Sequence, residues 1–374
     1  MAGIYIHIPF CKKACHYCDF HFSTSLSNKE ALVDSLCTEI ALRKDYLNKK
    51  ELSTIYIGGG TPSLLSLEDL KKVFNTVRQY YTVLPDAEIT LEANPDDLTP
   101  KKVEELVKAG INRLSIGIQS FFDEHLVLMN RTHTSIQAIE AVKQAQKAGI
   151  ENISIDLIYG LPGLTLEKWN ENLQQAFTLS VPHISAYCLT VEKRTALHHM
   201  VKEKQIILPD EPIVTEQFNM LVSETAKNGF IHYEISNFCK EGMYSKHNSS
   251  YWKNEHYLGI GPSAHSFDED SRQWNISNNA LYIKALENKE PYFEKEMLTE
   301  ADKFNEYVMT RLRTIWGIDL GFVRNNFGES ILESFLQESK HYVDSGYIQH
   351  TNENITLTHK GKLIADRIAS DLFI

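Results

Sequence analysis

Three cysteines stand within eight positions, in Cys11-Lys-Lys-Ala-Cys15-His-Tyr-Cys18, directly after a short apolar run. Thiolates are soft ligands that select iron-sulfur clusters, zinc or Cu(I), and a cubane cluster is usually held by four of them. Three close cysteines with no evident fourth leave one iron open to another ligand. The same triad completed by His16 or His21 would instead hold zinc. Cys37, Cys188 and Cys239 are scattered through apolar or mixed segments and read as inert thiols. After a second apolar stretch comes Gly58-Gly59-Gly60-Thr61-Pro62, where missing side chains let backbone N–H and C=O groups approach a ligand closely. Single polar side chains recur after further apolar runs: Glu92, Gln119, Asp156 and Thr190, with Arg131 as a cation able to grip a carboxylate through two N–H groups.

The elements that must position these groups show in the hydrophobic period. Strands are expected at residues 4–8, 54–57, 88–92, 113–118, 152–158 and 183–189, and helices at 28–49, 66–80, 99–109, 135–148, 166–179 and 212–227. Six β-then-α units in series call for a parallel sheet with helices outside, an α/β fold. The expected form is a partial (β/α)6 TIM-like barrel, two units short of a full one. Gly110 and Gly149 just past helix ends, and Ser66 and Thr99 as N-caps, fit that punctuation. The cysteines then fall on the loop after the first strand, and the polar residues at strand carboxyl ends, the face on which barrel sites are built. After Gly229 the period loosens into aromatic, Gly- and Asn-rich segments, expected to be irregular and to border the site. From residue 301, two helices, a hairpin turning at Asn352-Glu353-Asn354 and a last helix from Lys360 suggest a smaller winged-helix-like α+β module. The expected organisation is a core over 1–235, a bordering segment over 236–300 and a C-terminal module over 301–374.

C-x3-C-x2-C after an N-terminal strand is the signature of the radical SAM superfamily, and the chain resembles that family over most of its length. The resemblance implies a [4Fe-4S] cluster on Cys11, Cys15 and Cys18, with S-adenosylmethionine (SAM) chelated at the open iron. It also implies a 5'-deoxyadenosyl radical formed by one-electron reduction, and an electron donor such as a flavodoxin or ferredoxin. Within the superfamily the strings are similar to the branch that joins oxygen-independent coproporphyrinogen III oxidases (HemN) and HemW-type heme chaperones, C-terminal module included. By matching motif, Tyr5, Tyr17, Gly59, Gly60, Thr61, Glu92, Gln119, Arg131, Asp156, Thr190 and His265 fall where such proteins contact SAM. The oxidase carries a fourth cysteine two places after the third, where this chain has Phe20, and an N-terminal extension that this chain is expected to lack. Conversely, His247-Asn248-Ser249-Ser250-Tyr251-Trp252 matches the H-N-x-x-Y-W string of the HemW type. Imidazole can ligate iron, while Tyr and Trp offer flat faces to a porphyrin, so His247, Tyr251 and Trp252 are the expected heme contacts. The resemblance thus implies a chaperone that passes heme to acceptor heme proteins. Coproporphyrinogen decarboxylation is the enzymatic alternative, and a zinc-stabilised interaction protein the alternative from a third class.

Composition narrows the partners. With 374 residues, 43% hydrophobic and 23% charged, the chain has the make-up of a folded globular protein. A formal net charge of -11 argues against a general electrostatic grip on nucleic acid or on an anionic membrane. The C-terminal module, with 8 Lys and Arg against 11 Asp and Glu from Glu300 to Ile374, is no exception. No signal-peptide pattern and no membrane-spanning apolar run is evident. One thiol cluster and no disulfide framework suit a reducing cytoplasm.

Overall fold

Parallel strands buried on both faces read as runs rich in Ile, Leu and Val. The computed structural model describes residues 2–47 and 51–374. It alternates β1 (Ala2–Ile8), α1 (Lys29–Leu42), β2 (Glu51–Gly59), α2 (Leu67–Tyr80), β3 (Thr82–Ala93), α3 (Pro100–Ala109), β4 (Arg113–Gln119), α4 (Asp123–Leu128), α5 (Ser135–Lys147), β5 (Asn152–Tyr159), α6 (Leu166–Thr178) and β6 (His183–Cys188). β1 to β6 pair in chain order and all in parallel. Ser66 and Thr99 cap α2 and α3 by accepting from the N–H groups of Asp69 and Lys102, and Gly110 closes α3 at a φ of 97°. α1 is shorter than its periodicity suggests. Arg43 turns the chain inward, its Nη2 donating to Gln273 Oε1 (2.8 Å) and its carbonyl accepting from Tyr81 OH (2.7 Å). The end of the expected helix, Asn48 and Lys49, lies outside the described residues.

α7 (Ala196–Lys202) and α8 (Glu211–Lys227) lead to the clearest departure from expectation. The stretch after Gly229 is not irregular. β7 (Ile231–Glu234), β8 (Asn237–Cys239), α9 (Lys246–Trp252), β9 (Tyr257–Ile260), β10 (His265–Phe267), β11 (Ser271–Asn275), α10 (Asn279–Asn288) and β12 (Phe293–Met297) follow. They extend the same sheet to twelve strands in the order β12-β11-β10-β9-β1-β2-β3-β4-β5-β6-β8-β7. β9 runs parallel to β1, β10 to β12 form an antiparallel meander, and β8 and β7 flank β6 in antiparallel pairing. The sheet does not close on itself, since β12 and β7 are its edges. These added strands span only three to five residues, too short to display a period of two.

Side chains alternate across a strand. Ile55, Ile57, Leu91, Leu114, Ile116, Ile153 and Ile155 join Leu70, Val73, Val103, Leu106, Val142 and Trp169 of the helices in the main core. The alternate positions are polar and touch one another: Arg113 Nε stands 3.8 Å from Glu88 Oε2, and Ser154 Oγ is 2.7 Å from His183 Nδ1. The sheet thus has one apolar and one polar buried face.

The chain ends in α11 (Glu300–Leu312), β13 (Ile318–Asp319), α12 (Leu320–Phe327), α13 (Glu329–Asp344), β14 (Ile348–His350), β15 (Asn354–Leu357), α14 (His359–Lys362) and α15 (Ala365–Asp371). The helices and a small sheet of order β13-β15-β14 enclose a second core around Phe304, Val308, Phe335, Ile355 and Ile368, in the element order of a winged helix. Arg313 ties this module to the main sheet, with Nη2 3.0 Å from Glu234 Oε1 and Nη1 2.9 Å from Asp366 Oδ1. No helix among the described residues is long and apolar enough to cross a membrane.

Candidate functional site

Beyond Pro9 the cysteine loop folds back on itself, because Cys11 N–H donates to Ser23 O (3.0 Å) and Ser23 N–H to Pro9 O (2.8 Å). Its outer side is pinned at three points: His16 N–H to Met129 O (3.1 Å), Leu197 N–H to His16 O (2.7 Å) and Asn130 Nδ2 to Ala14 O (2.8 Å). His16 Nδ1 pairs with Leu128 O (2.8 Å) and His21 Nε2 with Asn279 Oδ1 (2.7 Å). Among the described residues no three Cys, His, Asp or Glu side chains converge as they would on a single ion. Zinc ligands meet at one ion.

Cys11, Cys15 and Cys18 line one wall of a cavity of about 470 Å³ at the carboxyl ends of the parallel strands. Tyr17, Gly59, Gly60, Thr61, Glu92, Gln119, Arg131, Asp156 and Thr190 line it too, so strand ends far apart in sequence supply one site. Tyr5 and His265 do not; they line a second cavity. Gly60 is required by close approach: a Cβ there would meet Phe10 O at 2.6 Å and Cys11 Sγ at 3.0 Å. Thr61 Oγ1 donates to Cys11 Sγ (3.5 Å). Arg131 Nη2 donates to Asn94 Oδ1 and to Gly117 O (2.7 Å each), and Nη1 lies 3.4 Å from both Cys15 Sγ and Tyr17 OH. Its Nε is buried without a partner. Gln119 holds a left-handed φ of 67°, uncommon for a side chain of its size and a mark of functional sites. Thiols, a cation against them, an uncovered glycine backbone and an orphan donor fit an anionic cluster with a polar cofactor beside it.

Burial raises the Glu92 carboxyl to about 7, against hydrogen bonds from Tyr56 OH (2.8 Å) and Gly59 N–H (3.0 Å), with the nearby Asp156 charge adding to the rise. Asp156 is raised to about 6, chiefly by burial, while Arg113 pulls it back. Burial also pushes the Cys18 thiol up to about 11 and raises Cys11. Without metal these are neutral thiols, so loading iron must release their protons.

The His247–Trp252 string forms α9. Ser245 caps it, and the Glu88 carboxylate accepts from the N–H groups of Lys246 (3.1 Å) and His247 (3.0 Å). His247 enters the amino end of the polar face, where Gly3 leaves room: a Cβ on Gly3 would meet His247 Nδ1 at 3.2 Å. Its ring stacks on Tyr56 with centroids 5.1 Å apart, Nδ1 pairs with Thr54 Oγ1 (2.8 Å) and Nε2 with Tyr251 OH (2.8 Å). Burial lowers its pKa to about 3. The motif is therefore split. His247 is 1% exposed and has no ring nitrogen free for iron, whereas Tyr251 and Trp252 face the second cavity, of about 390 Å³.

Sequence reasoning missed Asn94, Ser115 and Gly117 on the thiol cavity. The signal was present: Asn94 follows Glu92 by two positions, and Ser115 and Gly117 precede Gln119 by four and two, placing each on the same face of its strand.

The radical SAM superfamily model matches residues 5–176 and the HemN C-terminal domain model residues 298–364. A Bacillus subtilis protein named heme chaperone HemW is 36% identical, over 98% of this chain and 98% of its own length. A protein of that name from Escherichia coli is 32% identical, over 100% of this chain and 98% of its own length. The structure of Escherichia coli coproporphyrinogen III oxidase (HemN), a radical SAM enzyme, matches with a TM-score of 0.86 at 22% identity. That match covers 100% of this chain and 90% of the other, and it establishes the shared fold.

Proposed function

The chain belongs to the HemW family within the radical SAM superfamily, and from that premise we propose that it is a heme chaperone, binding heme and delivering it to acceptor heme proteins. The observation that carries this reading is a second cavity, walled by Tyr251, Trp252, Tyr257 and Phe267, on different side chains from the thiols. Flat aromatic faces with polar edges suit a porphyrin. Phe20, 68% exposed on the rim of the thiol cavity, takes the place of the oxidase's fourth cysteine and cannot act as a thiolate.

In this proposal Cys11, Cys15 and Cys18 hold a [4Fe-4S] cluster, and SAM lies in the cavity beside them. Bound and reduced, the cluster and SAM supply one-electron chemistry. Arg131 offsets thiolate charge. The backbone of Gly59 to Thr61 and the side chains of Tyr17, Glu92, Gln119, Asp156 and Thr190 bind and orient the cofactor while keeping water from it. An electron donor such as a flavodoxin or ferredoxin and a reducing cytoplasmic setting complete the proposal; the six cysteines are all free, as such a setting requires. The division into a core over 1–235, a bordering segment over 236–300 and a C-terminal module over 301–374 is retained in it.

The test is anaerobic reconstitution of the cluster, addition of SAM and reductant, and then supply of either heme or coproporphyrinogen III. Heme binding with no porphyrin product is expected. Conversion of coproporphyrinogen III to protoporphyrinogen IX in multiple turnovers would replace the chaperone reading with the oxidase one.

A further inference from the structure

Heme iron is commonly held by an imidazole nitrogen, and the one candidate on the heme-associated motif, His247, has both nitrogens engaged. The cavity that Tyr251 and Trp252 line contains another histidine, His265. A tight turn delivers it there. The chain reverses between β9 and β10 through Gly261 (φ 101°) and Ser263 (φ 63°), closed by Ala264 N–H donating to Gly261 O (3.1 Å). Gly259 lets the returning strand pass, since a Cβ there would lie 2.0 Å from His265 O. His265 is exposed, rests against Trp274 with centroids 6.3 Å apart, and engages neither ring nitrogen in any hydrogen bond among the described residues.

The surroundings suit a flat apolar ligand with a metal at its centre. Tyr251 meets Tyr257 edge to face at 4.6 Å, and Tyr257 stacks on Phe267 at 6.2 Å. Arg272, over the Phe267 ring at 5.2 Å and ion-paired with Glu306, sets a cation at the wall. Trp252 Nε1–H is buried and has no acceptor among the described residues. Partial desolvation by the cavity wall and the Arg272 charge lower the His265 pKa, which favours the neutral ring.

Resting on the chaperone reading above, we propose that this cavity is the heme site and that His265, not His247, is the axial ligand to the iron. No step of SAM chemistry is needed for it. Histidine loss should then act on heme without acting on the cluster.

Hemin titrated into the full-length chain, followed by absorption and electron paramagnetic resonance, tests the assignment. His265→Ala should weaken binding about tenfold or more, the equivalent of at least ~1.4 kcal/mol, and change the iron's ligand-field signature. His265→Met, which restores a weaker ligand, should recover binding with a spectrum distinct from both. Since the His265 side chain is exposed and forms no hydrogen bond among the described residues, neither change threatens folding, and unaltered cluster content after reconstitution checks that. If the parent chain binds hemin and both variants match it in affinity and spectrum, the ligand assignment falls while the chaperone reading stands. If the parent chain binds no hemin, both fall.

Discussion

The two cavities are built by opposite means. Around the thiols, the walls come from the ends of parallel strands and from loops pinned to them, and Glu92, Gln119, Arg131 and Asp156 stand there beside Phe20, Phe22, Ile158 and Leu189. The second cavity draws Tyr5 and Tyr257 from the parallel strands β1 and β9, Phe267 and Arg272 from the antiparallel β10 and β11, Tyr251 and Trp252 from α9 and Thr310 from α11, and half of its lining residues are Phe, Trp or Tyr. Parallel strands feeding one rim concentrate functional groups at one point, which suits a cofactor whose atoms must be placed. Under the proposed function, cofactor chemistry and cargo holding stand on separate supports within one sheet.

Four substitutions or conditions would sharpen or break that division. The largest effect is expected from Cys15→Ala, which should abolish the thiolate-to-iron absorbance near about 400 nm after reconstitution; an intact cubane in that variant would remove Cys15 from the ligand set. Next is Gly60→Ala. Its Cβ meets Phe10 O at 2.6 Å, so the glycine run and the cysteine loop must part, and SAM affinity should fall about tenfold or more by equilibrium binding. Unchanged SAM affinity would show that the close packing there has no part in binding.

His247→Ala comes third. It leaves Thr54 Oγ1 and Tyr251 OH without their partner and opens a void at the amino end of the sheet, for a loss of about 2–4 kcal/mol in chemical denaturation. A fully stable variant that binds no hemin would mean that His247 serves the ligand and not the scaffold. The smallest effect is a pH slope. Glu92 is raised by burial to about 7 and Asp156 to about 6, so the folded state keeps protons that the unfolded chain has lost. Stability of the cluster-free protein should therefore fall as pH rises from about 4.5 to about 7, and Glu92→Gln should flatten the upper part of that slope in thermal melts. A flat profile in the parent would show that the two carboxyls are more hydrated than the geometry indicates.

Much of the thiol cavity was legible in the sequence, because it hangs on strands long enough to show their period and on loops whose Gly and Cys residues have few other uses. Glu92, Gln119 and Asp156 could be placed from strand ends alone. Their same-face neighbours Asn94, Ser115 and Gly117 needed only the further step of counting by two. The second cavity was not legible. β9, β10 and β11 are too short for a pattern, and the pairing of β9 beside β1 joins residues about 250 positions apart in sequence, which no local signal reports. Tyr5 and His265, expected by motif among the SAM contacts, line this second cavity. The fate of His247 was equally hidden. A histidine offered to a ligand and one locked between Thr54 and Tyr251 look alike until the fold brings β2 beneath α9.

Hemin titration of a variant with Cys11, Cys15 and Cys18 all changed to Ala tests the division most directly, read beside the cluster-loaded parent chain. Sites that share no partners behave additively to within a few tenths of a kcal/mol. The two proteins should therefore bind hemin with affinities within roughly twofold of each other and with the same iron signature. Loss of hemin binding together with the cluster would contradict the account, and would place the heme in the thiol cavity.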